Sequence, residues 1–371
     1  MHKLILMYCL LFLLGATSIF GQNYCITNRF TDANYFKEKD IQVKDSIVYG
    51  KAKDWKGRKL ALDLAIFYPK LSVDSLQKRP LIILIHGGSF IHGNKSNLYK
   101  EASSLAKMGF VTASINYRLG WNYKIQNGKK KWDSTFYMAV YRAVQDSKAA
   151  LRFLVHNTSQ YGIDTSWIFI GGGSAGAVTS LYSAYYTQTN WDKEIPWLSK
   201  KLGNIEGVSD TLTNVYTIKG IIDMWGGIAD TTSISMEKAK RIAMLIFHGT
   251  ADPIVPYIKS DTTSALMIQG GYLIAQRYKH LGGFYQLNTK INGGHGEDFS
   301  SEFIAEKTGA FYKSLFCGTC KSGEFSTTLV KKQNNNISTL PLILAIKAST
   351  LGAKKRTSKK ADVDSAMEKE Q

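Results

Sequence analysis

Ser174 stands in Gly172-Gly173-Ser174-Ala175-Gly176, directly after the apolar run Trp167-Ile168-Phe169-Ile170 and before a stretch with a helical pattern. In a G-x-S-x-G turn the chain reverses between strand and helix so sharply that only small neighbours fit, and the serine side chain projects from the end of the sheet. A serine hydroxyl is a poor nucleophile until a histidine takes its proton. That histidine works best when a carboxylate fixes its tautomer and stabilises its charged form. Two later segments supply these residue types. Residues 243–249 read as a buried strand, and the loop Thr250-Ala251-Asp252-Pro253-Ile254-Val255-Pro256 after it offers Asp252 as the acid. Residues 284–291 read as a further strand, and Gly293-Gly294-His295-Gly296 after it offers His295 as the base. Asp223, in Ile221-Ile222-Asp223-Met224-Trp225, competes for the acid role, but the usual position on the strand before the histidine's favours Asp252.

Nucleophilic attack on an ester carbonyl makes a tetrahedral oxyanion, which needs preorganised N–H donors at about 2.7–3.1 Å. Residues 81–85 form an unbroken apolar run, and His86-Gly87-Gly88-Ser89-Phe90 follows at its end. Glycines there leave the N–H groups of Gly87 and Gly88 uncovered, and the N–H of Ala175, after the nucleophile, would complete the oxyanion hole. Trp121 and Trp225 are candidate substrate-binding residues. His86 is read as holding the oxyanion turn through its ring nitrogens, and His248 as doing similar work beside Asp252. Neither has a partner at metal-ligand spacing, and the sequence has no H-E-x-x-H or paired C-x-x-C, so neither a metal nor a cofactor is expected.

With these four segments in this order, the chain resembles the α/β-hydrolase superfamily, and within it the carboxylesterases that carry an HGG oxyanion motif. The resemblance covers roughly residues 45–316. Asn116-Tyr117-Arg118-Leu119-Gly120 is similar to the Y-R-L turn of hormone-sensitive-lipase-like enzymes, and Asp146-x-x-x-Ala150-x-Arg152-x-Leu154 to a further esterase segment. Where those relatives continue with Pro-Glu, this chain has Trp121-Asn122, so their substrate pockets do not transfer. The resemblance implies a serine carboxylesterase that forms an acyl-enzyme, and acetyl or feruloyl esters of polysaccharide would suit an exported basic protein with aromatic insertions. Two other readings stand beside it. A prolyl-oligopeptidase-like peptidase shares the H-G-x-x-D-x-x-V-P segment but carries a propeller for which there is no room ahead of residue 45. A binding protein on a hydrolase fold would be expected to have lost one of the three reacting residues, and all three are present.

The elements that must position these residues follow from periodicity. Residues 41–67 alternate in two runs around Asp54-Trp55-Lys56-Gly57, as an antiparallel hairpin does. Strands are expected near 81–86, 110–116, 167–171, 218–223, 243–248 and 284–290, alternating with helices near 98–108, 138–156, 175–187, 260–281 and 298–316. That alternation predicts a mainly parallel central sheet with helices on both faces. The longer connections 117–137 and 188–217 carry Trp121, Tyr123, Trp132, Phe136, Trp191 and Trp197, and are candidates for a lid or substrate wall. Asp146 and Arg152 are expected to make structural ion-pair or capping contacts.

The chain has 371 residues, 44% of them hydrophobic, enough for one large α/β core expected to span 45–320. Residues 1–21 read as a secretory signal peptide: a short charged start, an apolar run and small residues for cleavage. Residues 22–44 read as an N-terminal extension, and 321–371, with a basic cluster at 353–360, as a largely disordered tail. Export predicts a secreted or periplasmic protein with no stable membrane span after cleavage. In that oxidising setting Cys25 is expected to pair with Cys317 or Cys320. The net charge of +18 suits acidic surfaces such as polyanionic polysaccharide. A nucleic-acid partner is not expected, because no binding motif is present.

Overall fold

The computed structural model describes residues 24–126, 129–131, 133–207, 212–260, 267–296 and 298–328. These belong to one compact unit. The segment 1–21 expected to be a signal peptide, Cys9, Trp132 and the tail from residue 329 lie outside the described residues.

Nine strands build the central sheet: β1 Ile41–Lys53, β2 Lys59–Pro69, β3 Arg79–Ile85, β4 Val111–Ile115, β5 Ile163–Gly173, β6 Ile218–Met224, β7 Ala243–Gly249, β8 Tyr285–Ile291 and β9 Gly323–Thr328. Their spatial order is β1-β2-β4-β3-β5-β6-β7-β8-β9. The β1–β2 hairpin and the β2–β4 pair are antiparallel, and every other neighbouring pair is parallel. The helices that cover the sheet are α1 Tyr99–Lys107, α2 Ser134–His156, α3 Ala175–Tyr185, α4 Gly271–Leu281 and α5 Ser301–Phe316.

Side-chain alternation along buried strands explains the two layers of core. Leu81, Ile83 and Ile85 of β3 pack into one cluster with residues of α2, α3 and α4. Ile82 and Leu84, pointing the other way, pack with residues of α1 and α5. Because the central strands run parallel, the ends that carry His86, Ser174, Trp225, Asp252 and His295 all emerge at the same edge of the sheet. The register is continuous across it: Ile85 lies beside Gly172, Gly172 beside Asp223, and Asp223 beside Ile246.

Within the N-terminal extension, residues 24–36 pack against the domain: Tyr24, Phe30 and Phe36 are buried in the second cluster, and the Arg29 guanidinium makes two 2.7 Å bonds to the buried Asp74. Residues 323–328 belong to the sheet, as β9, rather than to the tail. Their side chains are almost all exposed, so the pairing rests on backbone hydrogen bonds that leave no apolar pattern. The helix expected over 260–281 begins only at Gly271, because Gln269–Gly270 pairs with Gly227–Ile228 in a small antiparallel ladder; residues 261–266 lie outside the described residues. The open choice of disulfide resolves to Cys25–Cys317, with Cα atoms 5.6 Å apart, and Cys320 is free.

Candidate active site

Ser174 joins β5 to α3 with φ 53° and ψ −117°, a conformation that side chains other than glycine rarely adopt. The strain is held by close approach on both sides. A Cβ on Gly172 would sit 2.0 Å from the Ile85 carbonyl oxygen, and one on Gly176 would sit 1.8 Å from it. The end of β3 therefore lies directly against the turn, and the Ser174 N–H is anchored to the Met224 carbonyl at 2.9 Å.

The loops after β7 and β8 bring the other two residues to this serine. The Ser174 hydroxyl donates to His295 Nε2 at 2.9 Å, and His295 Nδ1–H donates to Asp252 Oδ2 at 2.7 Å. That assignment of donors fixes the histidine tautomer. Asp252 is set by its own loop: its Oδ1 accepts the N–H groups of Ile254 at 2.8 Å and Val255 at 3.0 Å. His248 stands behind it. Its Nδ1 accepts the Gly271 N–H, which leaves Nε2–H to donate to the Val255 carbonyl at 2.9 Å, with Asp252 Oδ2 3.3 Å away. Burial alone would raise the Asp252 carboxyl, but the hydrogen bonds from His248 and His295 outweigh it and hold the group well below the usual carboxylate range. The competing acid, Asp223, is fully buried at the end of β6 and touches neither Ser174 nor His295. Its Oδ1 accepts the Gly226 N–H, and its Oδ2 has no hydrogen-bond partner among the described residues. Burial pushes its carboxyl up to about 6.

The loop after β3 is braced from behind. Tyr117 donates its hydroxyl to the His86 carbonyl at 3.0 Å and stacks on the His86 ring. His86 Nδ1–H donates to the Gly87 carbonyl at 2.7 Å. In a trans peptide the carbonyl and the next N–H point in opposite directions. Tying the His86 and Gly87 carbonyls backward therefore turns the N–H groups of Gly87 and Gly88 forward, and neither has an acceptor among the described residues. Gly87 lies against the nucleophile: a Cβ there would be 3.3 Å from Ser174 Cβ. Ala175 N–H, in the first turn of α3, likewise has no acceptor among the described residues.

A cavity of about 380 Å³ opens beside Ser174 and Ala175. Its walls include Phe136 and Tyr137 from the first long connection and α2, Val178 and Tyr182 from α3, and Trp191 and Glu194 from the second long connection. Neither Trp121 nor Trp225, the candidate substrate-binding residues, is among the residues that line it. Trp121 is buried and donates Nε1–H to the Ser89 carbonyl at 3.0 Å, while Gly120 N–H donates to the Phe90 carbonyl at 2.8 Å; the turn containing them is a brace for the loop. Trp225 sits edge-on to His295, with ring centroids 6.5 Å apart, and stacks on Phe299. Val178 and Tyr182 escaped the sequence reading, although they fall four and eight residues after Ser174, on the helix face below it. Glu194 carried no signal beyond its place in a long connection. Asp146 makes the expected structural ion pair, receiving the Arg118 guanidinium at 2.8 Å, and Arg152 pairs with Glu206 at 2.8 Å.

The BD-FAE family model matches residues 64–243, just under half of the chain, a span that contains the β3 loop and Ser174 and ends before Asp252 and His295. Gut esterase 1 of Caenorhabditis elegans is 32% identical over 138 residues, covering 36% of this chain and 23% of that protein. Esterase LipQ of Mycobacterium tuberculosis is 24% identical over 213 residues, covering 53% of this chain and 47% of that protein. The chain thus aligns with less than half the length of these curated relatives. Among solved structures, an esterase from Thermogutta terrifontis with butyrate bound superposes with a TM-score of 0.50 at 19% identity, over 76% of this chain and 96% of that one. That likeness concerns the fold.

Proposed function

We propose that this chain, which has an α/β-hydrolase fold, hydrolyses carboxylic esters through Ser174. The observation that carries the reading is the unbroken relay Ser174–His295–Asp252, with contacts of 2.9 and 2.7 Å, placed at the mouth of an apolar cavity. His295 Nε2 takes the hydroxyl proton as Ser174 Oγ attacks the acyl carbonyl, and Asp252 stabilises the imidazolium that forms. The N–H groups of Gly87, Gly88 and Ala175 receive the oxyanion. His295 then protonates the departing alcohol. In the second half-reaction it takes a proton from water, which attacks the acyl-enzyme and restores Ser174.

The aromatic wall of Phe136, Tyr137, Tyr182 and Trp191 supports an aromatic acyl group, such as feruloyl carried on polysaccharide, over acetyl, which would leave most of the cavity unfilled. Export of the protein is supported by the Cys25–Cys317 disulfide, a bond that persists in oxidising compartments. No helix among the described residues is long and apolar enough to cross a membrane.

The test is turnover of p-nitrophenyl acetate and methyl ferulate by purified protein and by Ser174→Ala. Serine-dependent hydrolysis of both, with the higher kcat/KM for ferulate, is expected. Turnover that survives Ser174→Ala would refute the mechanism, and a clear preference for acetate would refute the acyl assignment alone.

A further inference from the structure

On the other side of α2 from the cavity lies a second cleft, of about 500 Å³, lined by Lys53, Asp54, Trp55, Arg118, Arg142 and Lys201 among others. Its charges do not balance internally. Arg142 is only 4% exposed, and among the described residues its guanidinium makes one hydrogen bond, from Nη2 to the Gly120 carbonyl at 2.8 Å. Its Nε is buried with no acceptor among the described residues. The carboxylates nearby are already committed: Asp146 receives Arg118 through contacts of 2.8–3.0 Å, and Asp54 receives Arg58 at 2.7 Å together with the N–H groups of Lys56 and Arg58. Burial, and then repulsion from Arg118, outweigh the attraction of Asp146 and Asp54 and pull the Arg142 guanidinium down to about 10. Lys53 and Lys201 add two exposed ammonium groups.

A buried guanidinium to which no carboxylate is hydrogen-bonded among the described residues is costly, and a planar fork of donors matches a carboxylate. The remaining wall is apolar and ring-sized: the Trp55 indole, 40% exposed, lies over Gly120 with the Lys56 ammonium 5.2 Å from its centroid. We propose that this cleft is a binding subsite for a uronic acid residue, its carboxylate held by Arg142 and the lysines and its ring resting on Trp55. The assignment rests on the cleft's own charges and does not require the ester-hydrolase reading.

Calorimetric titration of the full-length Ser174→Ala protein with methyl β-D-glucuronide, methyl β-D-glucoside and inorganic phosphate tests it. The glucuronide is expected to bind at least about tenfold more tightly than the glucoside, one charge-assisted contact's worth. Trp55→Ala and Lys201→Ala, both at exposed positions, should each weaken it about fivefold or more while leaving far-ultraviolet circular dichroism and the urea midpoint unchanged. Arg142→Gln should abolish it. If Arg142→Gln fails to fold, the two exposed variants decide the matter. No binding of the glucuronide, equal binding of glucuronide and glucoside, or phosphate binding as tightly with no effect of Trp55→Ala would each overturn the proposal.

Discussion

Removing one oxygen atom from Tyr117 should slow the reaction without weakening substrate binding. The Tyr117 hydroxyl does not line the cavity; its 3.0 Å bond to the His86 carbonyl fixes the peptide plane that carries Gly87 N–H. In Tyr117→Phe the ring can keep its stack on His86, while the carbonyl, buried under the loop, loses its partner. A lost neutral hydrogen bond is worth about 0.5–1.5 kcal/mol, and a stranded buried acceptor about 1–3 kcal/mol, so stability should fall by roughly 1–2 kcal/mol. Removing an oxyanion donor outright lowers kcat by about 10²–10³, so a donor that is loosened rather than lost should lower it by about tenfold. KM should stay within about twofold, because the interaction strengthens only as the oxyanion forms. Steady-state kinetics on p-nitrophenyl acetate, beside a urea titration, read both numbers. Unchanged kcat, or a rise in KM alone, would refute the argument that Tyr117 aims the Gly87 donor.

Other consequences follow from burial and close approach. Asp223 has a folded-state carboxyl raised to about 6 from 3.8, so it favours unfolding increasingly from about pH 4 to pH 6 and fully above that. Asp223→Asn should therefore be more stable than the parent by roughly 3 kcal/mol at pH 7 and equal to it near pH 4. His86, which burial lowers to about 4, contributes stability above pH 6.5 that is lost as pH falls toward 4, but it is common to both proteins and cancels in the comparison. Urea titrations at pH 4, 5 and 7 that show a constant gap would contradict this. Gly176→Ala places a methyl group 1.8 Å from a backbone oxygen that cannot retreat from the sheet, and should abolish soluble expression or activity outright. Wild-type specific activity in that variant would mean that the turn is looser than described. The Cys25–Cys317 bond closes a sequence separation of 292 residues, so Cys25→Ala/Cys317→Ala should lose about 3–5 kcal/mol in chemical denaturation, and a loss below about 1 kcal/mol would count against the loop-entropy account.

The oxyanion turn and Asp252 were legible because each follows a short, fully buried strand, and Ser174 and His295 because they sit among glycines. Both signals are local: β3 and β7 are buried at every position, and the turns after them admit little else. What the sequence did not disclose was non-local. β9 pairs through its backbone and exposes its side chains, so it carries no hydrophobic signature. Trp121 reads as a wall residue until its indole is seen to brace Ser89, 32 positions earlier. Residues 24–36 read as an extension because three buried aromatics are too few to set a period. The choice between Cys317 and Cys320 depended on where α5 ends relative to Cys25, which spacing alone does not fix.

The central claim is that Ser174 becomes covalently acylated with the help of His295 and Asp252. Incubating the intact protein with a serine-directed fluorophosphonate, then measuring intact mass and mapping the modified peptide, tests it most directly. The account predicts a single adduct on the peptide containing Ser174, absent from Ser174→Ala and formed at least about 10³-fold more slowly in His295→Ala. An adduct elsewhere, or modification of Ser174 at the same rate without His295, would contradict it.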